Sequence, residues 1–211
     1  MQEMGSDAIS SAIIRLAMND AHTPPASPSL TRRRRPFLAP LWLLAMVGVF
    51  VLAMAFAYWN SATTTTIVLV RHAEKQVGAI SDAPLSPEGD IRATRLAQML
   101  GGSEEFGRIS RIYVTDTRRT QQTAAGVAQR LGLTPVIVDA KTGSADLAQR
   151  AVRENRGHRA LIVGHSNTVP EIVAALAHVN NVPAMGDDEF DTIYIVTVPT
   201  IGKASVLRLK Y

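Results

Sequence analysis

Three polar clusters close apolar runs in this chain, and their residue types suit one chemistry. Arg71-His72-Ala73-Glu74 comes directly after Ile67-Val68-Leu69-Val70. Thr115-Asp116-Thr117-Arg118-Arg119-Thr120 closes the run that starts at Ile109, and Gly164-His165-Ser166-Asn167 follows Ala160-Leu161-Ile162-Val163. Taken alone, an Arg-His pair is an ordinary polar end to a strand. Two histidines gathered among arginines are more informative. A metal is the first idea for paired histidines, but arginines repel a cation, and neither His-x-His nor His-Glu-x-x-His occurs. Guanidinium forks match the oxygens of an anion, phosphate above all. The expectation is therefore a phosphate pocket with no metal and no cofactor.

Whether the clusters meet depends on the elements that carry them. A short, continuous, mostly β-branched run reads as a strand buried on both faces of a parallel sheet, and ligands bind beyond the carboxyl ends of such strands. Helices alternate with these strands. Leu85-Ser86-Pro87-Glu88-Gly89 reads as a helix start, with Ser86 as N-cap, Pro87 in the first turn and Gly101-Gly102 at the far end. Further helices are predicted over about 119–131, 145–154 and 170–179, and strands over 109–115, 135–139 and 160–163. Thr192–Val198 and Ala204–Leu209 read as a hairpin at the sheet edge. The pattern predicts an α/β fold: a three-layer α/β/α sandwich with a mostly parallel sheet. All three clusters then fall at one edge of it.

The 211 residues allow one domain and something besides. No cysteine is present, which excludes disulfides, thiol nucleophiles and cysteine-bound zinc. The net charge of +4 is spread without the basic stripe of a nucleic-acid binder, so no nucleic-acid partner is expected. Residues 1–36 are polar, proline-bearing and basic at their end, and read as a disordered tail; Met4 and Met18 are alternative starts. Residues 37–59 carry no charge and follow Arg32-Arg33-Arg34-Arg35. As a helix they reach about 35 Å, enough for a hydrocarbon core of about 30 Å. Trp42, Tyr58 and Trp59 suit its interfaces. The arginines favour a cytoplasmic N-terminus, which puts the rest outside the cytoplasm, in the periplasm if the cell is bacterial. A signal anchor suits the length of the run. Cleavage near Ala53-Met54-Ala55 or Ala55-Phe56-Ala57, and a loose twin-arginine pattern at Arg34-Arg35, are the alternatives. Residues 60–66 read as a linker and 67–211 as the globular domain. So short a linker places the catalytic edge close to the bilayer.

The clusters resemble the motifs of the histidine phosphatase superfamily, the phosphoglycerate mutase-like fold, in its branch 1. Arg71-His72-Ala73-Glu74 matches the Arg-His-Gly/Ala-Glu motif, Arg119-Thr120-Gln121-Gln122-Thr123-Ala124 the Arg-x-x-Gln-Thr-Ala run, and Gly164-His165-Ser166 the second histidine. Leu85–Gly89 resembles the Leu-Thr/Ser-x-x-Gly helix start. The resemblance implies that His72 attacks phosphorus to form a phosphohistidine, which water hydrolyses. It implies that Arg71, Arg119 and His165 hold the phosphoryl oxygens. Arg118 is left to solvent, Asn167 to the pocket rim or an ordinary turn, and Asp116, Thr120 and Gln122 to capping or positioning.

The glutamate acid that the mutases carry after the Gln-Thr-Ala helix has no counterpart. Asp139, Glu74 and Glu171 stay open as proton donors to the leaving group. Residues 125–163 leave no room for a mutase lid, so the pocket is expected to be open to water, as in the short, lid-less type. The implied activity is hydrolysis of phosphomonoesters or phosphoramidates on a small molecule or phosphoprotein, the activity of a phosphoric monoester hydrolase of the histidine acid phosphatase type. Mutase-type phosphoryl transfer and a non-catalytic phosphate-binding module are the alternatives. Oligomeric state is not legible in the sequence.

Overall fold

The computed structural model describes residues 39–78, 82–102, 107–139 and 141–211. The tail over 1–36, with the run Arg32–Arg35, and Phe37 and Leu38 lie outside the described residues. The chain divides into two compact units, residues 1–47 and 48–211. Of the first, only the opening turns of helix α1 (Ala39–Ala62) are described. From Leu41 to Trp59 this helix is exposed on every side, with Leu44, Phe50 and Leu52 among its bare side chains. A helix apolar all round and unburied is not a core helix. It is long and apolar enough to cross a membrane.

Helix α1 runs three residues past the expected boundary at residue 59, and strand β1 takes the last two residues of the expected 60–66 linker. Side chains close its end: Thr63 Oγ1 donates to the Trp59 carbonyl at 2.9 Å and Thr64 Oγ1 to the Asn60 carbonyl at 2.7 Å. Strand β1 (Thr65–Arg71) follows at once. The junction is also tied to the domain. Thr200 Oγ1 donates to Thr63 Oγ1 at 2.8 Å, and the Ile201 N–H donates to Asn60 Oδ1 at 3.2 Å. Gly157 (φ +73°) packs so closely that a Cβ there would stand 2.3 Å from the Ala62 carbonyl oxygen.

The remaining elements are α2 (Pro87–Leu100), β2 (Ile109–Thr115), α3 (Arg118–Leu131), β3 (Val136–Val138), α4 (Ser144–Glu154), β4 (Arg159–Gly164), α5 (Thr168–Ala177), β5 (Thr192–Val198) and β6 (Ser205–Lys210). The sheet order is β3-β2-β4-β1-β5-β6. The first four strands are parallel, β5 is antiparallel to β1, and β6 closes the hairpin at the edge. β1 alternates between two cores. Ile67 and Leu69 pack with Leu147, Ala151, Ile172 and Val173 on the α4/α5 side, while Val68 and Val70 pack with Leu96, Leu100, Ala124 and Val127 on the α2/α3 side. The α/β three-layer sandwich is as expected.

Its orientation corrects one expectation. The polar clusters sit at the carboxyl end of β1, and α1 joins at the amino end. Seven residues of strand place the edge that carries the polar clusters about 20 Å from the end of α1. That edge points away from the helix rather than lying beside it.

Candidate active site

Parallel register brings the clusters together. Arg71 pairs with Gly164 across β1 and β4, and the His72 N–H donates to the Gly164 carbonyl at 2.9 Å. Helix α3 begins three residues after β2 ends, which puts Arg119 at the same edge. Arg71, His72, Arg119 and His165 therefore share one pocket. The two imidazoles meet edge to face with centroids 5.3 Å apart, and Arg119 Nη2 donates to His165 Nδ1 at 3.4 Å.

Each histidine has its tautomer set by a neighbour. His72 Nδ1 lies 2.7 Å from the Ala73 carbonyl, which can only accept, so the proton is on Nδ1 and the lone pair on Nε2. His165 presents Nδ1 to a guanidinium and Nε2 to Thr115 Oγ1 at 3.1 Å, so its proton is on Nε2. Burial, then the charges of Arg119, His165 and Arg71, push His72 down to about 4 against the pull of the Ala73 hydrogen bond. Burial and the same two arginines hold His165 at about 4. Both rings are neutral at pH 7. The Nε atoms of Arg71 and Arg119 are buried and have no hydrogen-bond partner among the described residues. A neutral imidazole lone pair beside uncommitted guanidinium donors can hold an oxyanion and attack its central atom.

The supporting residues explain why these side chains stay in place. Thr123 Oγ1 accepts from the Ala73 N–H at 3.0 Å and donates to the Arg119 carbonyl at 2.7 Å, which fixes the loop after His72 to helix α3. Gln122 Oε1 accepts from the Leu85 N–H at 2.9 Å. Ser86 caps α2 through the Gly89 N–H. Gly89 lets α2 approach the loop after β1, since a Cβ there would stand 2.2 Å from the Glu74 carbonyl oxygen. Thr115, Thr117 and Thr120 share hydroxyl contacts of 2.9–3.1 Å beneath His165. Arg118 and Asn167 are exposed, and Asp116 lies exposed with its carbonyl accepting from Gln121.

None of the three carboxylates left open as proton donors makes a hydrogen bond to the histidine pair. Glu74 is bound by Arg92 through Nε and Nη2, at 2.6–2.9 Å. Burial pushes Glu74 up, but the Arg92 hydrogen bonds and charge outweigh it and hold the carboxyl below the usual range. Asp139 caps its own turn through the Lys141 N–H, and Glu171 accepts from Ser144 Oγ at 2.6 Å.

One wall of the site was not read from the sequence. Arg71 Nη1 donates to the carbonyls of Gly186 at 2.7 Å and Glu189 at 3.2 Å, and its guanidinium lies 4.1 Å from the centre of the Phe190 ring. The Glu189 carboxylate is itself tied to Thr192, Arg208 and the Gly186 N–H, and is held at about 2, chiefly by Thr192. Residues 186–190 reach the pocket because β5 is antiparallel and begins where the parallel strands end. The hairpin pattern of β5 and β6 was the available signal.

Comparisons with known proteins bear on the family motif and the fold. The model of the histidine phosphatase superfamily (branch 1) matches residues 67–142, a stretch that holds Arg71, His72 and Arg119 but ends before His165. No curated protein matches the chain. Among solved structures, the protein histidine phosphatase SixA complexed with tungstate aligns at a TM-score of 0.55 and 22% identity, covering 69% of this chain and 96% of that one. A putative phosphohistidine phosphatase SixA from Agrobacterium tumefaciens aligns at 0.53 and 16%, covering 69% and 98%. A phosphoserine phosphatase mutant from Entamoeba histolytica in complex with phosphoserine aligns at 0.50 and 15%, covering 65% and 95%. These likenesses show the fold.

Proposed function

We propose that this chain, matched in sequence and fold to the branch 1 histidine phosphatases, is a phosphatase that works through a phosphohistidine on His72. The observation that carries this reading is the Nδ1–H bond from His72 to the Ala73 carbonyl. It aims a neutral Nε2 lone pair into a pocket with two buried guanidinium Nε donors. Nε2 attacks phosphorus in line and the bond to the leaving oxygen or nitrogen breaks. Water then attacks the phosphohistidine, returning Nε2 and releasing inorganic phosphate. Arg71, Arg119 and His165 stabilise charge on the equatorial oxygens. The substrates are phosphomonoesters or phosphoramidates. With no lid among the described residues of 125–163 and Asn167 exposed, hydrolysis rather than transfer within a retained substrate is favoured. The apolar α1 suits a single-pass anchor, with the domain on the extracytoplasmic side.

The test is phosphate release from a panel of phosphoesters and a phosphoramidate, with and without EDTA, alongside labelling from a radioactive substrate. Turnover that survives EDTA, with acid-labile label on His72, is expected. His72→Ala removes both. Wild-type-like turnover by His72→Ala overturns the reading. A reporter fused after Tyr211 tests the topology, and activity only as a cytoplasmic fusion overturns it.

A further inference from the structure

We propose that the sheet edge where α1 joins the domain is a docking surface for anionic lipid headgroups, built on Arg108, Arg156, Arg159 and Lys203. These residues are far apart in sequence, and topology gathers them. Arg159 opens β4 and pairs with Thr66 of β1 and Ile109 of β2, which puts Arg108 beside it. Arg156 precedes Gly157, the residue that packs on the Ala62 carbonyl. Lys203 lies in the β5–β6 loop, whose Thr200 and Ile201 hydrogen-bond the end of α1. All four basic side chains are exposed, and none has an acidic partner among the described residues. Glu154, two residues before Arg156, is engaged by Arg111, Arg150 and the Tyr113 hydroxyl. Glu104 and Glu105, which precede Arg108 in sequence, lie outside the described residues.

The opposite edge mixes the signs. Glu88 and Asp90 open α2, Asp116 follows β2, and Asp187 and Asp188 lie in the loop over Arg71, beside Arg71, Arg118 and Arg119. Basic charge without acidic partners among the described residues is thus gathered where the apolar helix leaves. An anionic surface attracts basic residues held near it, and the attraction decays within a Debye length of about 8 Å at physiological ionic strength. Such a surface pulls on the basic edge beside α1, so the domain stands with β1 along the membrane normal. The pocket then opens toward water and takes soluble substrates rather than lipids of the host leaflet. The surface also escapes the positive-inside rule, which counts basic residues near the helix in sequence. These become neighbours of α1 only on folding.

The chain has no cysteine, so a single spin label reports cleanly. The full chain carrying a nitroxide at Ile201→Cys is placed in nanodiscs of phosphatidylcholine, or of phosphatidylcholine with about a third phosphatidylglycerol. Accessibility of the label to a water-soluble paramagnetic reagent is the readout. A fall of about twofold or more in the anionic discs is expected, reversed near 1 M salt, where the Debye length is about 3 Å. A label at Val77→Cys, 96% exposed at the catalytic edge, stays accessible in both discs. Arg156→Glu with Lys203→Glu abolishes the Ile201 response and leaves turnover of a soluble phosphoester unchanged. Where the reversal yields no folded protein, Arg156→Gln with Lys203→Gln is read the same way. Equal accessibility in the two discs overturns the proposal, as does a response that survives loss of these charges. Failure of the full chain to co-elute with either disc also overturns it.

Discussion

His72 is useful only while neutral, and its surroundings keep it so. Burial and three cationic or imidazole neighbours push it down to about 4, and His165 with it. Both rings should therefore titrate near pH 4 in an NMR series of the imidazole protons, and midpoints at the ordinary value of about 6.5 would show that the pocket is not desolvated. Stability follows with a definite sign. Between pH 6.5 and 4 the unfolded chain binds protons that the folded pocket refuses, so stability falls as pH drops through that window and is indifferent to these groups above it. Urea midpoints at several pH values check this, and His165→Asn should flatten part of the slope. Arg71 offers a second test at this scale. Its Nη1 donates to both the Gly186 and Glu189 carbonyls while its Nε stays uncommitted. Arg71→Lys keeps the charge and loses the planar fork, so kcat/KM should fall about 10²-fold, with the protein still folded.

Elements matter here by where they start and stop. Helix α3 delivers Arg119 to the pocket, and through Thr123 it also ties down the loop that carries His72. Thr123→Val keeps the shape but leaves the buried Ala73 N–H without its acceptor, which costs about 1–3 kcal/mol. Turnover should fall together with the melting temperature. At the other end of the sheet, Gly157→Val meets both a positive φ and the Ala62 carbonyl. Backbone strain alone predicts a loss of about 1–3 kcal/mol in thermal or denaturant unfolding, with kcat for a soluble substrate unchanged in the folded fraction. Helix α2 was legible before the structure because its start is local chemistry: a serine cap, a proline and acidic first-turn residues need no tertiary partner. The loop over Arg71 was not legible, because nothing local marks Gly186–Phe190 as part of a site. Only the antiparallel course of β5 carries it there.

At the scale of the whole molecule, the distance between the apolar helix and the histidine pair is the governing quantity. Two residues separate the end of α1 from β1, and the histidine pair lies one strand length away. A soluble phosphoester should be hydrolysed at the same rate, within about twofold, by the full chain in detergent and in bilayer discs, because about 20 Å of strand separates pocket from helix. A rate that collapses on reconstitution would show the pocket turned toward the lipid.

The sequence by itself determined the elements and their alternation, because burial on both faces, helix caps and turn residues act over a few positions. It also singled out Arg71, His72, Arg119 and His165 as one chemical set, since their types and order suit a phosphoryl group. Tertiary structure alone decided which way the set faces. A sequence records the order of apolar helix, β1 and Arg71-His72, but only the parallel register shows that Arg119 and His165 join His72 at the sheet edge away from the helix. The same holds for the wall around Arg71 and for the basic edge beside α1. Both are assembled from segments that are distant in sequence and meet only in the folded sheet.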